Sequence, residues 1–361
     1  MEIIKVFSNQ DNYNPQDRFH LNNIAKAFWC DHNNERHREV HDWCKGLFEH
    51  APENRKADIC ILTYHWPYYD HRDKVSKAQA EVNAAHQHGK PMVVFSSGDY
   101  PANLPFEDVT LFESAGYRST SGLRYHSAQP SYIPDYLHLY SGGQFQPRPK
   151  REVPIVGFCG QASTSPVQTA FRALRLEWQR RQHRRGVFPW QPPPFETSSF
   201  RTRVLRAFAH QPGIETNFIP RRRYHAGEKK DKSHQHPSKV EFVNNILGSD
   251  YTLCMRGGGN FSVRFYEALC LGRIPIFIDT DCLLPFQDEI DYKSFFPWID
   301  LQDLPNATEI LLDFHSKLSN EKFINLQRMC RELWLNHMTP DGFYRDLYHK
   351  LQTWVEKLKS S

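Results

Sequence analysis

The sequence predicts an α/β fold with two domains, each built on a parallel β-sheet. Short apolar runs alternate with helical patterns along the first half of the chain, which is typical of parallel strands joined by helices. In the second half, Tyr251–Met255 and Ile274–Ile278 flank a helical segment, as in a βαβ unit. The 361 residues, 39% of them hydrophobic, suffice for two ordinary domains.

The first domain is predicted to alternate strands and helices from its start. The predicted strands are Ile3–Phe7, Ile59–Thr63, Pro91–Phe95 and Val109–Phe112, and the helices are Asn22–Cys30 and Val75–His88. A polar segment rich in Gly, Pro and charge, SGGQFQPRPKREV, begins at Ser141. Such a composition is typical of a linker, so we place the domain boundary between residues 148 and 149.

The second domain is predicted to cover residues 149–338 and to open on the strand Ile155–Cys159. Helical patterns follow at residues 169–181, 238–247, 309–318 and 320–335. Large apolar residues then recur at helical spacing, so residues 339–361 are predicted to form an amphipathic C-terminal helix. These residues are Phe343, Leu347, Leu351 and Trp354.

The βαβ unit carries the residues that point to an anion site. Gly257, Gly258 and Gly259 let a ligand approach the backbone, and the helix start that follows favours negative charge. Arg256 and Arg264 could converge on a diphosphate, and Glu267 shares a helix face with Arg264, where it could accept hydrogen bonds from ribose hydroxyls. The same pattern also fits a tight turn followed by an exposed ion pair.

The ordered residues of this unit resemble the C-terminal signature of the exostosin glycosyltransferases. The shared pattern comprises Arg256-Gly257, Ser262, Arg264, Glu267-Ala268, Gly272, Ile274-Pro275, Asp279 and Leu284-Pro285-Phe286. Clear similarity is confined to residues 250–298. Gly258 and Asn260 stand where that pattern often has acidic residues or Pro, so the identity of the nucleotide sugar is not carried over.

The resemblance implies a B-type glycosyltransferase (GT-B architecture), with two Rossmann-like domains facing a cleft. It implies that the second domain binds a nucleotide diphosphate sugar, that the reaction inverts the anomeric centre, and that no metal or other cofactor is required. The implied second substrate is a hydroxyl of a glycan or glycolipid acceptor, in polysaccharide biosynthesis. In such enzymes a terminal helix often packs back on the N-terminal, acceptor-side domain, and residues 339–361 are expected to do so.

An inverting transferase needs a base that deprotonates the acceptor hydroxyl. His65 is our first candidate, and Asp70 and Asp99 are the next, because all three follow predicted strands of the first domain. The aromatic cluster at Tyr64–Asp70 could form a sugar-stacking wall there, or it could simply pack on its own domain. Core histidines and capping aspartates look the same in sequence, which leaves both interpretations open.

Other interpretations of the glycine loops also remain. The turn Gly160–Ser163 could cover the donor phosphates, with Gly160 as a donor-binding residue, or it could be an ordinary βα turn. Gly257, Gly259 and Ser262, with Asp279 about twenty residues further on, approximate a dinucleotide fingerprint, which would indicate an NAD-dependent oxidoreductase. A non-catalytic sugar-binding relative that has lost the base is a third interpretation.

Composition limits the partners and the compartment. The formal net charge of +4 is too small for a dedicated nucleic-acid binder. Dense basic segments at Arg221–Arg223 and Glu228–Lys239 indicate a solvated surface or a grip on an anionic acceptor or lipid phosphate, which leaves peripheral membrane association open. His234 and His236 make a poor metal site. The oligomeric state is not predicted.

The cysteine pattern and the N-terminus favour a cytoplasmic protein. Eight cysteines lack Cys-x-x-Cys spacing, and the first residues lack the apolar core of a signal peptide. Asn260–Ser262 is formally a glycosylation sequon, but a glycan would block the proposed phosphate loop. We therefore expect a reducing cytoplasm, whereas animal exostosins are anchored in the Golgi membrane.

Overall fold

The computed structural model describes residues 2–29, 35–162, 166–188, 191–209, 211–221 and 236–359. The chain divides into two compact units. Unit 1 comprises Met1–Pro130, Leu283–Phe286 and Asn336–Ser361. Unit 2 comprises Ser131–Cys282 and Gln287–Leu335.

Unit 1 is built on a six-stranded sheet. Its strands are β1 (Ile4–Phe7), β2 (Phe48–His50), β3 (Ile59–Ile61), β4 (Met92–Ser96), β5 (Thr110–Glu113) and β6 (Tyr125–Ala128). All pairs are parallel, in the order β2-β1-β3-β4-β5-β6. The central strands are buried along their whole length, as expected for a parallel sheet covered on both faces.

Five α-helices of unit 1 lie within the described residues. They are α1 (Asn23–Phe28), α2 (Glu35–Cys44), α3 (Trp66–Asp70), α4 (Val75–Gln87) and α12 (Pro340–Lys359). The last of these contributes Phe343, whose ring lies 5.9 Å from that of Phe112 on β5. Phe286, from the short segment 283–286, packs against the same two rings at 6.1 and 5.5 Å. The core of unit 1 therefore joins three separate parts of the sequence.

Unit 2 is built on a second parallel sheet. Its strands are β7 (Ile155–Gln161), β8 (Glu215–Arg221), β9 (Tyr251–Cys254), β10 (Ile274–Asp279) and β11 (Trp298–Asp300), in the order β11-β10-β9-β7-β8. Its helices are α5 (Tyr136–Ser141), α6 (Pro166–Arg184), α7 (Thr197–Phe208), α8 (Pro237–Leu247), α9 (Val263–Cys270), α10 (Ala307–Ser316) and α11 (Asn320–Leu333).

The two sheets confirm the α/β class with twin Rossmann-like domains. The central βαβ unit is also confirmed, because β9 and β10 pair in parallel on either side of α9. Gly272 ends the helical segment in a left-handed conformation, with φ of 60°. The chain divides after Pro130, whereas we predicted a boundary after residue 148, because α5 packs against α8 and α9 of unit 2.

Seven cysteines among the described residues are buried free thiols. The described residues contain no cluster of three His, Cys, Asp or Glu side chains that could hold a metal ion. Within the described ranges, none of the helices has the length and apolarity that a membrane span requires. Cys30, Ser163, Arg222, Arg223, His234 and most of the tract at 228–239 lie outside the described residues.

Candidate functional site

The candidate site is a pocket of about 170 Å³ within unit 2. It lies at the carboxyl end of β7 and at the start of α9, the edge where parallel α/β sheets bind ligands. Four of the predicted donor-binding residues line it: Gly160, Ser262, Arg264 and Glu267. Ser262 is the N-cap residue of α9, yet its hydroxyl makes no capping hydrogen bond to the helix.

The guanidinium of Arg264 is held in place from two sides. Its Nη2 donates a hydrogen bond to the carbonyl oxygen of Cys159 at 2.7 Å. Its central carbon lies 4.3 Å from the ring centre of Phe158 and 5.7 Å from that of Phe242. A cation over an aromatic face is attracted to the ring, so these contacts pre-organise the positive charge at the pocket wall.

Gly160 leaves room for this guanidinium. A Cβ atom added to Gly160 would lie 2.5 Å from Nη2 of Arg264, closer than such atoms approach in proteins. The glycine on β7 and the arginine on α9 therefore fit each other. The structure brings together two residues that the sequence separates by about a hundred positions.

Glu267 lies one turn after Arg264 on the same wall of the pocket. The hydroxyl of Tyr136 donates to its Oε1 at 3.3 Å. Burial raises the pKa of the carboxyl to about 7, against the opposing effects of the Arg264 charge and the Tyr136 hydrogen bond. A carboxyl group with a pKa near 7 is partly ionised at neutral pH, so it can accept hydrogen bonds from the hydroxyls of a bound polyol.

Arg256 lies in the glycine loop and is not among the described residues that line the pocket. It is only 4% exposed, its Nη2 donates to the carbonyl oxygen of Gly258 at 3.4 Å, and its guanidinium lies 5.7 Å from the ring centre of Phe195. In this structure its side chain packs against the glycine loop, and a role for Arg256 beside Arg264 in donor binding stays a prediction.

The glycine loop itself is braced by its neighbours. The N–H of Gly257 donates to the carbonyl oxygen of Phe261 at 2.9 Å, and the loop lies next to the pocket without lining it. Asn260 is buried: its amide donates to the carbonyl oxygen of Asp281 at 3.0 Å and accepts from the Thr280 hydroxyl at 2.7 Å. A glycan could not be attached to this side chain in the folded unit. Gly258 is exposed and Gly259 is buried.

The pocket also contains residues that the sequence analysis did not assign to it. Its cationic side includes Arg201, Arg221 and Lys239, and its aromatic side includes Tyr136, Tyr140 and Phe242. Arg201 donates to the carbonyl oxygens of Gln161 and Arg256 at 3.1 to 3.3 Å, which ties the ends of β7 and β9 together. Arg221 and Lys239 belong to the two dense basic segments of the sequence, whereas no local motif marks Arg201 or the aromatic residues.

The predicted base residues lie in unit 1, beyond the carboxyl ends of β3 and β4. His65 precedes α3 and is held by a backbone hydrogen bond from its N–H to the carbonyl oxygen of His20 at 2.9 Å. Burial lowers the pKa of its imidazole to about 3, which makes it a weak proton acceptor in this conformation. Asp70 ends α3 and lies 3.8 Å from Nε2 of His71, and Asp99 is exposed.

The aromatic cluster at Tyr64–Asp70 is core rather than a sugar-stacking wall. Tyr64 and Tyr68 stack at 3.9 Å, and both are buried. The hydroxyl of Tyr69 donates to the buried Glu81 at 2.8 Å. Pro67 stands in the first turn, where it favours the start of α3, so the segment forms a short helix.

A buried Glu–His pair in unit 1 was also missed. Glu113 ends β5 and His126 lies on β6, and Oε1 of the glutamate is 2.7 Å from Nε2 of the imidazole. The second carboxylate oxygen of Glu113 accepts from the N–H of Ala102 at 2.7 Å. Glu113 directly follows the predicted strand Val109–Phe112, and nothing local in the sequence marks this pair.

The dinucleotide interpretation is weakened by the position of Asp279. Its Oδ1 accepts a hydrogen bond from the N–H of Cys282 at 2.8 Å, and the side chain is only 3% exposed. An acidic residue that binds a ribose must present its oxygens to the ligand. Asp279 instead fixes the turn after β10.

Comparison with known proteins finds a family match that lies mostly within unit 2. Residues 186–314 match the Exostosin GT47 domain model, a stretch that includes Arg264, Glu267 and the segment 283–286 of unit 1 but not Gly160. A probable glycosyltransferase of Arabidopsis thaliana is 27% identical over 128 residues, which is 34% of this chain and 25% of that protein. A probable glucuronosyltransferase of Oryza sativa subsp. japonica is 33% identical over 81 residues, 22% of this chain and 18% of that protein.

Two further proteins show similarity to this chain. Exostosin-1 of Drosophila melanogaster is 27% identical over 104 residues, 29% of this chain and 13% of that protein. This chain therefore spans a quarter or less of the length of these relatives. The crystal structure of TarM aligns with 81% of this chain and with 54% of the TarM chain, at 7% identity and a TM-score of 0.35. This similarity is too low to support a conclusion about function.

Proposed function

We propose that this chain is a glycosyltransferase of the exostosin family, because residues 186–314 match the Exostosin GT47 domain model. In this proposal a sugar passes from a nucleotide diphosphate sugar to a hydroxyl of a glycan or glycolipid acceptor. The observation that carries it is the pocket of unit 2, where Arg264 and Glu267 lie side by side at the start of α9.

The donor is assigned to this pocket by charge and by shape. Its diphosphate would lie against Arg264, the Ser262 hydroxyl and the positive end of the α9 dipole. Ribose hydroxyls would donate to Glu267, and the rings of Tyr136 and Tyr140 offer apolar surface for a base. Gly160 keeps the β7 side of the pocket free of a side chain.

The proposed reaction inverts the anomeric carbon. The acceptor oxygen attacks this carbon opposite the diphosphate, its proton passes to a base, and the nucleoside diphosphate leaves with the electron pair of the broken bond. Fixed cations stabilise the negative charge that develops on the leaving group, and Arg264 is assigned this role, so the proposal requires no metal. His65, Asp70 and Asp99 stay predictions for the base, and the low pKa of His65 favours the two aspartates.

Calorimetric titration with nucleoside diphosphates and their sugars tests the donor assignment. Arg264→Ala removes a charged hydrogen-bond donor, worth about 1.5–3 kcal/mol, so affinity should fall roughly ten- to a hundredfold. Arg55→Ala, at an exposed arginine of unit 1, is the matched control and should bind like the parent protein. Equal affinity of the Arg264→Ala variant and the parent would contradict the donor assignment.

Product analysis separates the three functional interpretations. A transferase hydrolyses its donor slowly without an acceptor and releases the nucleoside diphosphate. Binding of a nucleotide sugar without any turnover over a broad acceptor panel would favour the non-catalytic relative. Tight binding of NAD with no response to nucleotide sugars would favour the oxidoreductase.

A further inference from the structure

Helix α6 of unit 2 exposes a stripe of large apolar side chains. Val167, Phe171, Leu174 and Trp178 are 79%, 70%, 71% and 57% exposed. They are spaced by four, three and four residues, so they share one face of the helix. Single exposed apolar residues are common on protein surfaces, but four on one face mark an interaction surface.

This stripe is not the side on which α6 packs. Leu176, on the opposite side of the helix, is buried. Arg172 donates to the hydroxyl of Ser198 at 3.1 Å, and Arg180 donates to the carbonyl oxygen of Pro193 at 2.8 Å. The helix is therefore fixed to unit 2 by its other faces, and the stripe points outward.

The same helix concentrates positive charge. Six arginines and one glutamate, with His183 neutral, give residues 166–187 a formal charge of +5, against +4 for the entire chain. Glu177 contacts three of the arginines, and the exposed residues Arg181 and Arg185 lie on the helical face that continues the stripe toward the C-terminus of α6. The rest of the protein is thus close to neutral, and the cationic surface coincides with the apolar one.

We propose that α6 is an interfacial helix that docks unit 2 on an anionic lipid bilayer. Phe171, Leu174 and Trp178 would enter the boundary between headgroups and acyl chains, and the arginines would contact anionic headgroups. An amphipathic helix with Trp, Phe and Leu on one face and arginines beside them has the composition of such interfacial helices. The helix lies flat in the interface and does not cross it.

The charge of α6 favours an anionic bilayer as its partner over a second copy of the chain. Two copies of α6 brought face to face would oppose two formal charges of +5, which disfavours self-association through this stripe. A nucleic acid would satisfy the arginines, but it offers no apolar surface for Val167 and Leu174. The inference does not depend on the proposed enzymatic activity.

Flotation of the full-length chain with lipid vesicles tests the proposal. We expect binding to vesicles of phosphatidylcholine with 30% phosphatidylserine, and little binding to phosphatidylcholine alone, at roughly physiological salt. Each arginine near an anionic surface contributes about fivefold to the partition coefficient. The double variant Arg181→Glu/Arg185→Glu should therefore bind more than about 25-fold more weakly.

The apolar stripe is tested with Phe171→Ser/Trp178→Ser and a matched control. Phe19 is 78% exposed in unit 1, so Phe19→Ser removes an equally exposed phenylalanine outside α6. The α6 variant should lose vesicle binding while the control keeps it, and both should melt at the parent temperature because the replaced side chains are exposed. Failure of the parent protein to bind anionic vesicles, or full binding by the α6 variant, would overturn the proposal. Concentration-dependent dimers that the α6 variant abolishes would overturn it as well.

Discussion

Replacing Glu267 by Gln should stabilise the protein in a pH-dependent way. The folded carboxyl has a pKa of about 7 against an ordinary value of 4.5. Between these values the folded chain holds a proton that the unfolded chain has released, so the contribution of Glu267 to stability falls as pH rises toward 7. Above pH 7 the Glu267 carboxyl is ionised in both the folded and the unfolded chain, so its destabilising effect no longer changes with pH.

The size of this effect follows from the displacement of the pKa. Each pKa unit corresponds to about 1.4 kcal/mol, which gives an upper limit of about 3 kcal/mol. Because Glu267 borders a pocket that water can enter, we expect about 2 kcal/mol. For a unit of this size, the melting temperature of the Glu267→Gln variant should rise by about 4–8 °C at pH 8 and by close to nothing at pH 4.5.

Thermal unfolding of the parent and the variant at both pH values is the assay. Glu309→Gln, at an exposed glutamate on α10 of the same unit, is the control and should lack the gain in melting temperature that is expected for Glu267→Gln at pH 8. An equal gain for Glu267→Gln at pH 4.5 and pH 8 would show that burial of the carboxylate is not the cause. The same variant should also bind nucleotide sugars more weakly, because an amide NH₂ replaces one acceptor oxygen.

Three further substitutions test the geometry around the site. Gly160→Ala should lower nucleotide affinity about tenfold in a titration and should also lower the melting temperature, because the new Cβ would lie 2.5 Å from Nη2 of Arg264. Gly272→Ala should lower the free energy of unfolding by about 2–4 kcal/mol, measured with denaturant, since φ is +60° and the Cβ would lie 2.2 Å from Phe145. An unchanged free energy would contradict this packing. Asn260→Ala should lower the free energy of unfolding by about 2–3 kcal/mol, because it removes two buried hydrogen bonds. Parental stability of this variant would show that these hydrogen bonds do not stabilise the loop.

The sequence predicted those elements whose pattern is local. The strands β1, β3, β4, β5, β7, β9 and β10 are apolar runs bounded by turn residues, and the central βαβ unit has both its strands and its glycine break within thirty residues. Strands β2, β6, β8 and β11 were missed. Each carries polar residues within a short segment, as in the ETNFIPR sequence of β8, an edge strand that is largely exposed or half-buried.

The site was predicted in part, for a physical reason. Arg264 and Glu267 lie one helical turn apart, so their proximity follows from the helix itself. The convergence of Arg256 depends on a loop conformation, and its side chain turns toward Gly258 in this structure. Tyr136 and Arg201 reach the pocket from distant parts of the chain, and only tertiary structure brings them there.

Unit 1 takes its core from the beginning, the middle and the far part of the chain, and this arrangement constrains how it can form during synthesis. Position 343 must be synthesised before Phe343 can reach Phe112, whereas every residue of unit 2 is made by position 335. A chain truncated after residue 335 and released from the ribosome should therefore hold a protease-resistant unit 2 joined to an N-terminal part that is readily digested. Addition of α12 then completes a sheet domain whose strands were translated before those of unit 2.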